Sequence, residues 1–496
     1  FAEGAISAFG LTESSVGSDP ANMITVGELD EDGENWILNG EKLWCTNGVI
    51  ADVIVVMAKT GVDKRGDREI NRISAFIVET KWAGVDVMHR CEFMGIRAIE
   101  NGIIRFTDVK IPKENLIWGE GKGLRLALTT LNDGRLGIPA ITAASVRDLA
   151  GFSARWAKSR YQWGKYIGEH EAGADKLARI AAGGYAMETL ANFCAAMSDR
   201  KDVDIRMEAA GAKLFNTELA WQLADEGLQL RGGRGFETAT SLEGRGENSY
   251  PLERGLRDTR INRIVEGTTD IMHLFLAREA LDKHLRLAGG LFNKRATLGQ
   301  KANTVLKAAG FYLSWYPKLW VGGLFASFPG FSGSLGGHMK YVDRRGRRLA
   351  RTLFHAMALN GPKLEMRQLT LARIVDIGVE LAVMALVASR AQTALNRGDN
   401  SQMPLAEYYL GWGRERVDLL FRELKHNNDK AAVKLSKHLM ATAEALPEAV
   451  GSRDLSPLPR EYGSDLTSGR QQERLALGGT APKAKAKAKK PAAKAS

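Results

Sequence analysis

A chain of 496 residues exceeds what one hydrophobic core supports, since cores stop growing near roughly 250–300 residues, so several domains are expected. Apolar residues make up 44% and charged residues 26%, which excludes global disorder, and three scattered cysteines (Cys45, Cys91, Cys194) exclude a disulfide framework and lack metal-ligand spacing. The net charge of +11 sits largely at the end: residues 481–496 hold six lysines and no acid, leaving 63 basic against 58 acidic residues before them.

The first 118 or so residues read as β-rich. Asp32-Gly33 and Asn39-Gly40 are two-residue turn signals around Asn35–Leu38, and Glu41–Cys45 follows the second. Further strand patterns are 52–58, 73–79, 102–106 and 109–111, so a compact β-domain of sandwich or barrel type is predicted. After Gly119–Gly123 the period changes to that of amphipathic helices, at 124–131, 141–160, 174–200, 206–230 and 270–288. Residues 231–256 read as a glycine-rich, irregular interruption. From about 290 to about 448 a second helical region follows, strongest at 366–396 and 405–424. The end, Ala481–Ser496, is a Lys/Ala/Pro tail that cannot bury enough surface to fold.

Between the helical regions, Phe311 to Phe331 carries eight aromatics in 21 residues, followed by Lys340, Arg344, Arg345, Arg347, Arg348 and Arg351. Pro317 and Lys318 interrupt it, so it is no membrane span. Two readings stay open: peripheral contact with a lipid surface through 311–351, or a second core or subunit contact.

Candidate chemistry lies in four segments. The first, Ala8 to Asp19, contains the hydroxyl-rich loop Thr12-Glu13 to Gly17-Ser18, which can offer N–H and O–H groups to a ring carbonyl or phosphate, or can be a structural turn. In the second, Gly40 to Gly48, Trp44 and Thr46 alternate onto one strand face, suiting either a planar polar ligand or packing. The third, Arg160-Tyr-Gln-Trp-Gly-Lys165, places Arg160, Gln162 and Trp163 at a helix end with Gly164 as stop; a solvated arginine is the plainer reading. In the fourth, Arg257 to Asp270, Thr268 reads as the N-cap of a helix with apolar Ile271, Leu274 and Phe275. Glu266 precedes that helix, as a capping acid or a general base.

In this order, with Leu228–Phe236 and Thr130–Arg135 in support, these segments resemble the acyl-CoA dehydrogenase family over roughly residues 1–285, and the extra C-terminal helices resemble its very-long-chain type. The resemblance implies an α+β multidomain fold: a middle β-domain (1–118), a four-helix-bundle domain bearing the base (119–289), an additional helical domain (290–450), and a linker with disordered tail (451–496). It implies FAD held by Phe9, Leu11, Thr12, Ser18, Trp44, Thr46, Arg160, Gln162, Trp163, Gln229, Gly233, Thr268 and Asp270, with Arg160 and Trp163 reaching flavin held mainly by a neighbouring subunit. It assigns the acyl-CoA thioester to Ser18, Asn132, Arg135 and Gly267, and the catalytic base to Glu266. One departure is Ser14-Ser15-Val16, where the family has Pro-Gly-Ala. Some members carry the base at the position of Gly134, which glycine cannot supply.

The implied reaction is α,β-dehydrogenation to a trans-2-enoyl-CoA in fatty-acid β-oxidation, with electrons passed to electron-transfer flavoprotein. The implied assembly is a homo-oligomer, dimer or tetramer. The implied location is cytoplasmic, or the mitochondrial matrix of a eukaryote, peripheral on the inner membrane. Rivals are an acyl-CoA oxidase, a non-catalytic assembly protein and a nucleic-acid binder. The last has no recognition motif, since a basic tail alone gives nonspecific, salt-sensitive binding. Family members also carry an N-terminal helical domain covering one wall of the acyl pocket. The sequence opens at Phe1 without it, with no signal segment, so a removed N-terminus or a fragment is expected.

Overall fold

A computed structural model describes residues 4–442 apart from 67, 201, 293–296 and 325; the expected linker and tail at 451–496 lie outside the described residues. A first compact unit extends to Leu128 and a second begins at Thr129.

The first unit is built on strands β1 (Ser7–Gly10), β2 (Val26–Leu29), β3 (Asn35–Thr46), β4 (Val53–Arg65), β5 (Arg68–Glu79), β6 (Val85–Arg90), β7 (Asn101–Pro112) and β8 (Leu116–Ile117). They form one mixed sheet in the order β6-β7-β3-β2-β4-β5-β8, with β1 also lying parallel to β4. Alternation along the strands gives the sheet two apolar faces. Ile54, Val56, Phe76, Val78, Ile104 and Phe106 fill one core. Val55, Met57, Ile73 and Ala75 fill another, which Val16 and Met23 cover from the adjoining loop and Leu124 from the start of the first helix.

Asp32-Gly33 forms the expected turn, closed by the Gly33 N–H to Asp30 O bond (3.0 Å). Asn39-Gly40 does not turn, and β3 runs straight through it. The Asn39 amide is used instead to cap a bulge in the facing strand, donating to Asp108 Oδ1 (3.1 Å) and accepting from Asp108 N (2.8 Å). The same bulge explains why 102–106 and 109–111 read as two strands although β7 is continuous. Gly40 leaves no room for a side chain, since a Cβ would lie 2.7 Å from Thr25 Cα.

From Gly123 the chain is helical. The early helices are α1 (Gly123–Ser159), α2 (Glu171–Asp199) and α3 (Arg206–Arg231). Pro139 lies inside α1, so the two patterns expected there join into one helix. The ribbon β9 (Tyr161–Gln162) and β10 (Lys165–Tyr166) separates α1 from α2. The stretch expected to be irregular holds α4 (Gly233–Phe236), α5 (Ala239–Gly244) and α6 (Leu252–Arg260). Its polarity serves internal bonds rather than loop solvation: Arg231 donates to the Tyr250 and Asn248 carbonyls, and Arg234 pairs with Glu247. Then follow α7 (Thr269–Phe292), α8 (Leu298–Val321), α9 (Gly333–Asn360), α10 (Gln368–Asn396), α11 (Met403–Glu423) and α12 (Asp429–Ala441).

Packing shows no break at the boundary expected near residue 289. Ile180 of α2 and Leu219 and Leu223 of α3 share one core with Ile377, Met384 and Val387 of α10 and Tyr409 and Val417 of α11. The reason is α10 itself, whose buried residues run round the helix from Leu371 to Ala394, as in a central helix. In its middle the buried Glu380 carboxylate accepts from Tyr409 Oη (2.7 Å) and faces Arg416 (3.2 Å).

The aromatic and basic stretch closes on itself. Arg351 lies 4.0 Å over the Trp320 ring, Arg348 lies 4.0 Å over Phe421, Arg345 pairs with Asp418 (2.7 Å) and Arg347 with Asp343 (2.9 Å). Phe311, Tyr312 and Trp315 pack with His284 and Phe354. Most of this arginine cluster is therefore spent on internal contacts. Among the described residues no helix is long and apolar enough to cross a membrane.

Candidate active site and flavin-binding surfaces

In the first unit the hydroxyl-rich loop is held by a buried ion pair that sequence reading did not assign. Lys42 Nζ lies 2.6 Å from Glu13 Oε1 and donates to the Leu11 carbonyl (3.3 Å). Glu13 also accepts from Ile24 N (2.6 Å) and Thr25 N (3.1 Å). Burial opposes ionisation of Glu13, but the Lys42 ammonium and these donors hold its carboxyl below the ordinary range. Leu43 N donates to Thr12 O (2.9 Å), and Glu13 and Val16 exchange two backbone bonds of 3.0 Å, closing a tight turn. Val16, one of the three residues that depart from the family pattern, is buried and anchors that turn in the core.

The loop thus presents Thr12 and exposed Ser18 from a rigid base. Phe9 and Leu11 pack partly into the core. On β3, Trp44 is 56% exposed and Thr46 is exposed, as their spacing predicts, with Thr46 Oγ1 accepting from Asn101 (3.0 Å). Strict alternation would put Lys42 on that same face. A register shift between Lys42 and Cys45, with Trp44 at φ 54°, turns Lys42 into the core instead.

In the second unit, Gln162 and Trp163 are on the β9–β10 hairpin rather than at a helix stop. Trp163 and Gly164 have φ of 55° and 78°, the mirror-type two-residue turn, and Trp163 at its tip is 94% exposed. Arg160 caps α1 and bonds the ribbon through its carbonyl to Ile167 N (2.9 Å). Gln229 and Gly233 both lie exposed at the C-terminal end of α3.

Glu266 occupies the short segment between the helical turn Ile261–Arg263 and α7. Its φ is 54° and that of Gly267 is 98°, two successive left-handed residues. Such a conformation costs a non-glycine residue about 1–2 kcal/mol and persists only where its surroundings over-determine it. The surroundings here are explicit. Arg135 Nε of α1 donates to the Glu266 carbonyl (3.4 Å), and Lys213 Nζ of α3 donates to the Gly267 carbonyl (2.7 Å). Glu218 accepts from Arg263 Nε (2.7 Å) and from the Thr269 hydroxyl. Thr268 is the N-cap, accepting from Ile271 N (3.3 Å), and Asp270 lies exposed in the first turn.

The Glu266 carboxylate rests against Gly134. A Cβ there would lie 2.2 Å from both carboxylate oxygens, so any side chain at this point of α1 would displace the carboxylate. Glu266 Oε2 is buried without a hydrogen-bond partner. Burial raises its pKa above the ordinary value, and Arg135 and Lys213 limit that rise. A half-buried carboxylate with one oxygen buried and unbonded, in a fixed pose, suits proton abstraction from carbon. Arg135, expected at the substrate end or in the base's surroundings, is buried beside the base with its guanidinium 5.5 Å from the Phe275 ring. The Asn132 side chain lies outside the described residues.

The acyl-CoA dehydrogenase middle-domain model matches residues 8–109 and the C-terminal-domain model residues 121–281. A probable acyl-CoA dehydrogenase FadE10 of Mycobacterium tuberculosis is 46% identical over 443 residues, 88% of this chain and 68% of that protein. The chain belongs to the acyl-CoA dehydrogenase family. The human very long-chain specific acyl-CoA dehydrogenase is 32% identical over 79% of this chain and 58% of its own length. The crystal structure of a Bacillus anthracis acyl-CoA dehydrogenase complexed with FAD superposes with a TM-score of 0.69 at 26% identity, covering 91% of this chain and 73% of that one. That coverage takes the likeness well beyond the part the family models match.

Within this family frame, the structure gathers Glu266, Gly267, Thr268 and Arg135 into one site, and Arg160, Gln162 and Trp163 onto one ribbon. Sequence reading missed Lys213, Glu218 and the Glu13–Lys42 pair. A signal existed for Lys213, which stands alone in the apolar run Ala209–Phe215.

Glu13→Gln should cost about 3–5 kcal/mol at neutral pH by leaving the Lys42 ammonium buried without its counter-charge. Because the folded carboxyl titrates below its unfolded value, the pair's contribution is complete above about pH 4–5 and lost as pH falls. Thermal melts across pH should therefore show an acid limb in the wild type that is flattened in Glu13→Gln.

Proposed function

We propose that this chain bears the base and flavin contacts of an FAD-dependent acyl-CoA dehydrogenase, converting acyl-CoA thioesters to trans-2-enoyl-CoA and passing electrons to electron-transfer flavoprotein. The observation that supports it most is the desolvated Glu266 carboxylate, clamped through two backbone carbonyls and seated on a glycine. Nothing in such a seat suits a surface cap, and a non-catalytic scaffold has no use for its strain.

The surfaces fit a flavin. The first unit exposes an aromatic slab at Trp44, hydroxyls at Thr46, Thr12 and Ser18, and open space over Gly17. The second offers Arg160, Gln162, Trp163, Thr268 and Asp270, and open backbone at Gly232 and Gly233 beside Gln229. When bound, FAD supplies the acceptor for the hydride leaving the β-carbon. Glu266 takes the α-proton, and its own backbone N–H is the donor assigned to the thioester carbonyl, stabilising the developing enolate. Arg135 and Lys213 oppose the rise in the carboxylate's pKa that burial causes. The exposed tip of Trp163 supports a homo-oligomer in which this ribbon meets a neighbouring copy. Free thiols at Cys45, Cys91 and Cys194 suit a reducing, cytoplasmic setting.

A lipid partner is proposed separately, and on different residues from the arginines. Leu306, Leu313 and Trp320 of α8 recur every seven residues and are 74%, 77% and 58% exposed. The helix carries Lys301, Lys307 and Lys318 and no acid. Exposed apolar residues beside unopposed lysines suit the surface of an anionic bilayer.

The full chain should bind FAD and bleach under anaerobic acyl-CoA; retention of a colourless state with added FAD would sink the reading. Glu266→Gln should keep the flavin and lose bleaching. Gly134→Ala should displace the carboxylate and lower turnover by about 100-fold with flavin content unchanged. Rapid oxygen consumption by the reduced protein would favour an oxidase. Replacing Leu306, Leu313 and Trp320 together by Gln should abolish sedimentation with anionic liposomes while leaving flavin content intact.

A further inference from the structure

The group that stands out beside the base is Lys213. It is fully buried, in a run of α3 whose other members are Ala209, Ala210, Gly211, Ala212, Leu214 and Phe215. An ammonium removed from water costs several kcal/mol unless its charge is compensated. A position that only needed filling would take methionine or leucine. The lysine is aimed at backbone: its Nζ donates to the Gly267 carbonyl at 2.7 Å. Arg135 from α1 reaches the preceding carbonyl, that of Glu266. Two successive carbonyls of a left-handed segment are thus each held by a cation from a different helix.

We propose that Lys213 is a positioning residue for the base, its bond to Gly267 fixing the left-handed Glu266–Gly267 segment and its charge keeping the desolvated Glu266 carboxylate ionisable. This rests on the reading of Glu266 as the base. The charged groups around Lys213 are Glu266 in the same segment, Glu218 on α3, Arg135 on α1 and Arg263 on the turn before the base. Burial brings the lysine itself down to about 8, with the two carboxylates opposing that fall and the two arginines adding to it. It therefore holds its charge on the acid side of neutrality.

The test compares full-length, FAD-loaded wild type with Lys213→Met and Lys213→Gln, measuring kcat/KM against pH, flavin content and melting temperature. Removing a positive charge beside a carboxylate raises that carboxylate's pKa, so the acid limb of kcat/KM should move up by about one pH unit. Activity should fall roughly tenfold on that limb and recover at higher pH, with flavin content retained. Lys213→Gln keeps a donor for the Gly267 carbonyl, so it guards against misfolding of the methionine variant and should show the same shift. In Lys213→Met a pH-independent loss adds to the shift, because the bond to Gly267 is gone. A uniform loss at every pH or an unmoved limb in Lys213→Gln, which keeps a donor there, overturns the proposal. A second readout needs no turnover. Infrared difference spectra against the matching Glu266→Gln variants should show the Glu266 carboxyl band protonating at a higher pH when Lys213 is replaced. If Glu266→Gln itself turned over normally, the base reading would fall; if that variant were dead and the lysine variants left the limb in place, only the lysine proposal would.

Discussion

The second unit turns on one constraint: a half-buried carboxylate with one oxygen taken out of water and left without a hydrogen bond. Each neighbouring peculiarity follows from that. The Glu266 oxygens occupy the space that a side chain at Gly134 would take. Gly267 takes the left-handed backbone that lets Thr268 cap α7 immediately afterwards. Arg135 and Lys213 are buried at a solvation cost because the strained carbonyls need donors and the carboxylate needs nearby positive charge. The long helices then act as a rigid frame, since α1, α3 and α7 must each keep its register for these groups to meet.

The first unit uses the same physical device for a different end. The Glu13–Lys42 pair does not face solvent. It ties the backbone of the Thr12–Ser18 loop to β3, so that small exposed hydroxyls stand on a fixed base. A loop this rich in serine and glycine would otherwise lose considerable entropy on ordering. The buried pair and the Val16 anchor place that cost in the folding of the protein rather than in ligand binding.

Charge in the C-terminal helices follows a third logic. Arginines that look like a lipid-facing cluster in the sequence lie on aromatic rings and carbonyls of neighbouring helices. Their flat guanidinium groups stack and donate at once, which lysine cannot do. The outer side of α8, by contrast, exposes the apolar residues Leu306 and Leu313.

The order of a β-rich part followed by long helices was legible in the sequence, because strand alternation and helical period are local patterns. So were Glu266, the Thr268 cap and the exposed pair Trp44 and Thr46, each carried by a motif of contiguous residues. The Asn39-Gly40 turn was misread because the same dipeptide can cap a bulge in a strand nearly seventy residues away. The shared core of α2, α3, α10 and α11, the seat of Glu266 on Gly134 and the clamp of Lys213 on Gly267 were decided only by the tertiary structure. Periodicity reports which face of an element is apolar, but not which distant face it meets. A buried charge acquires its meaning only from that partner.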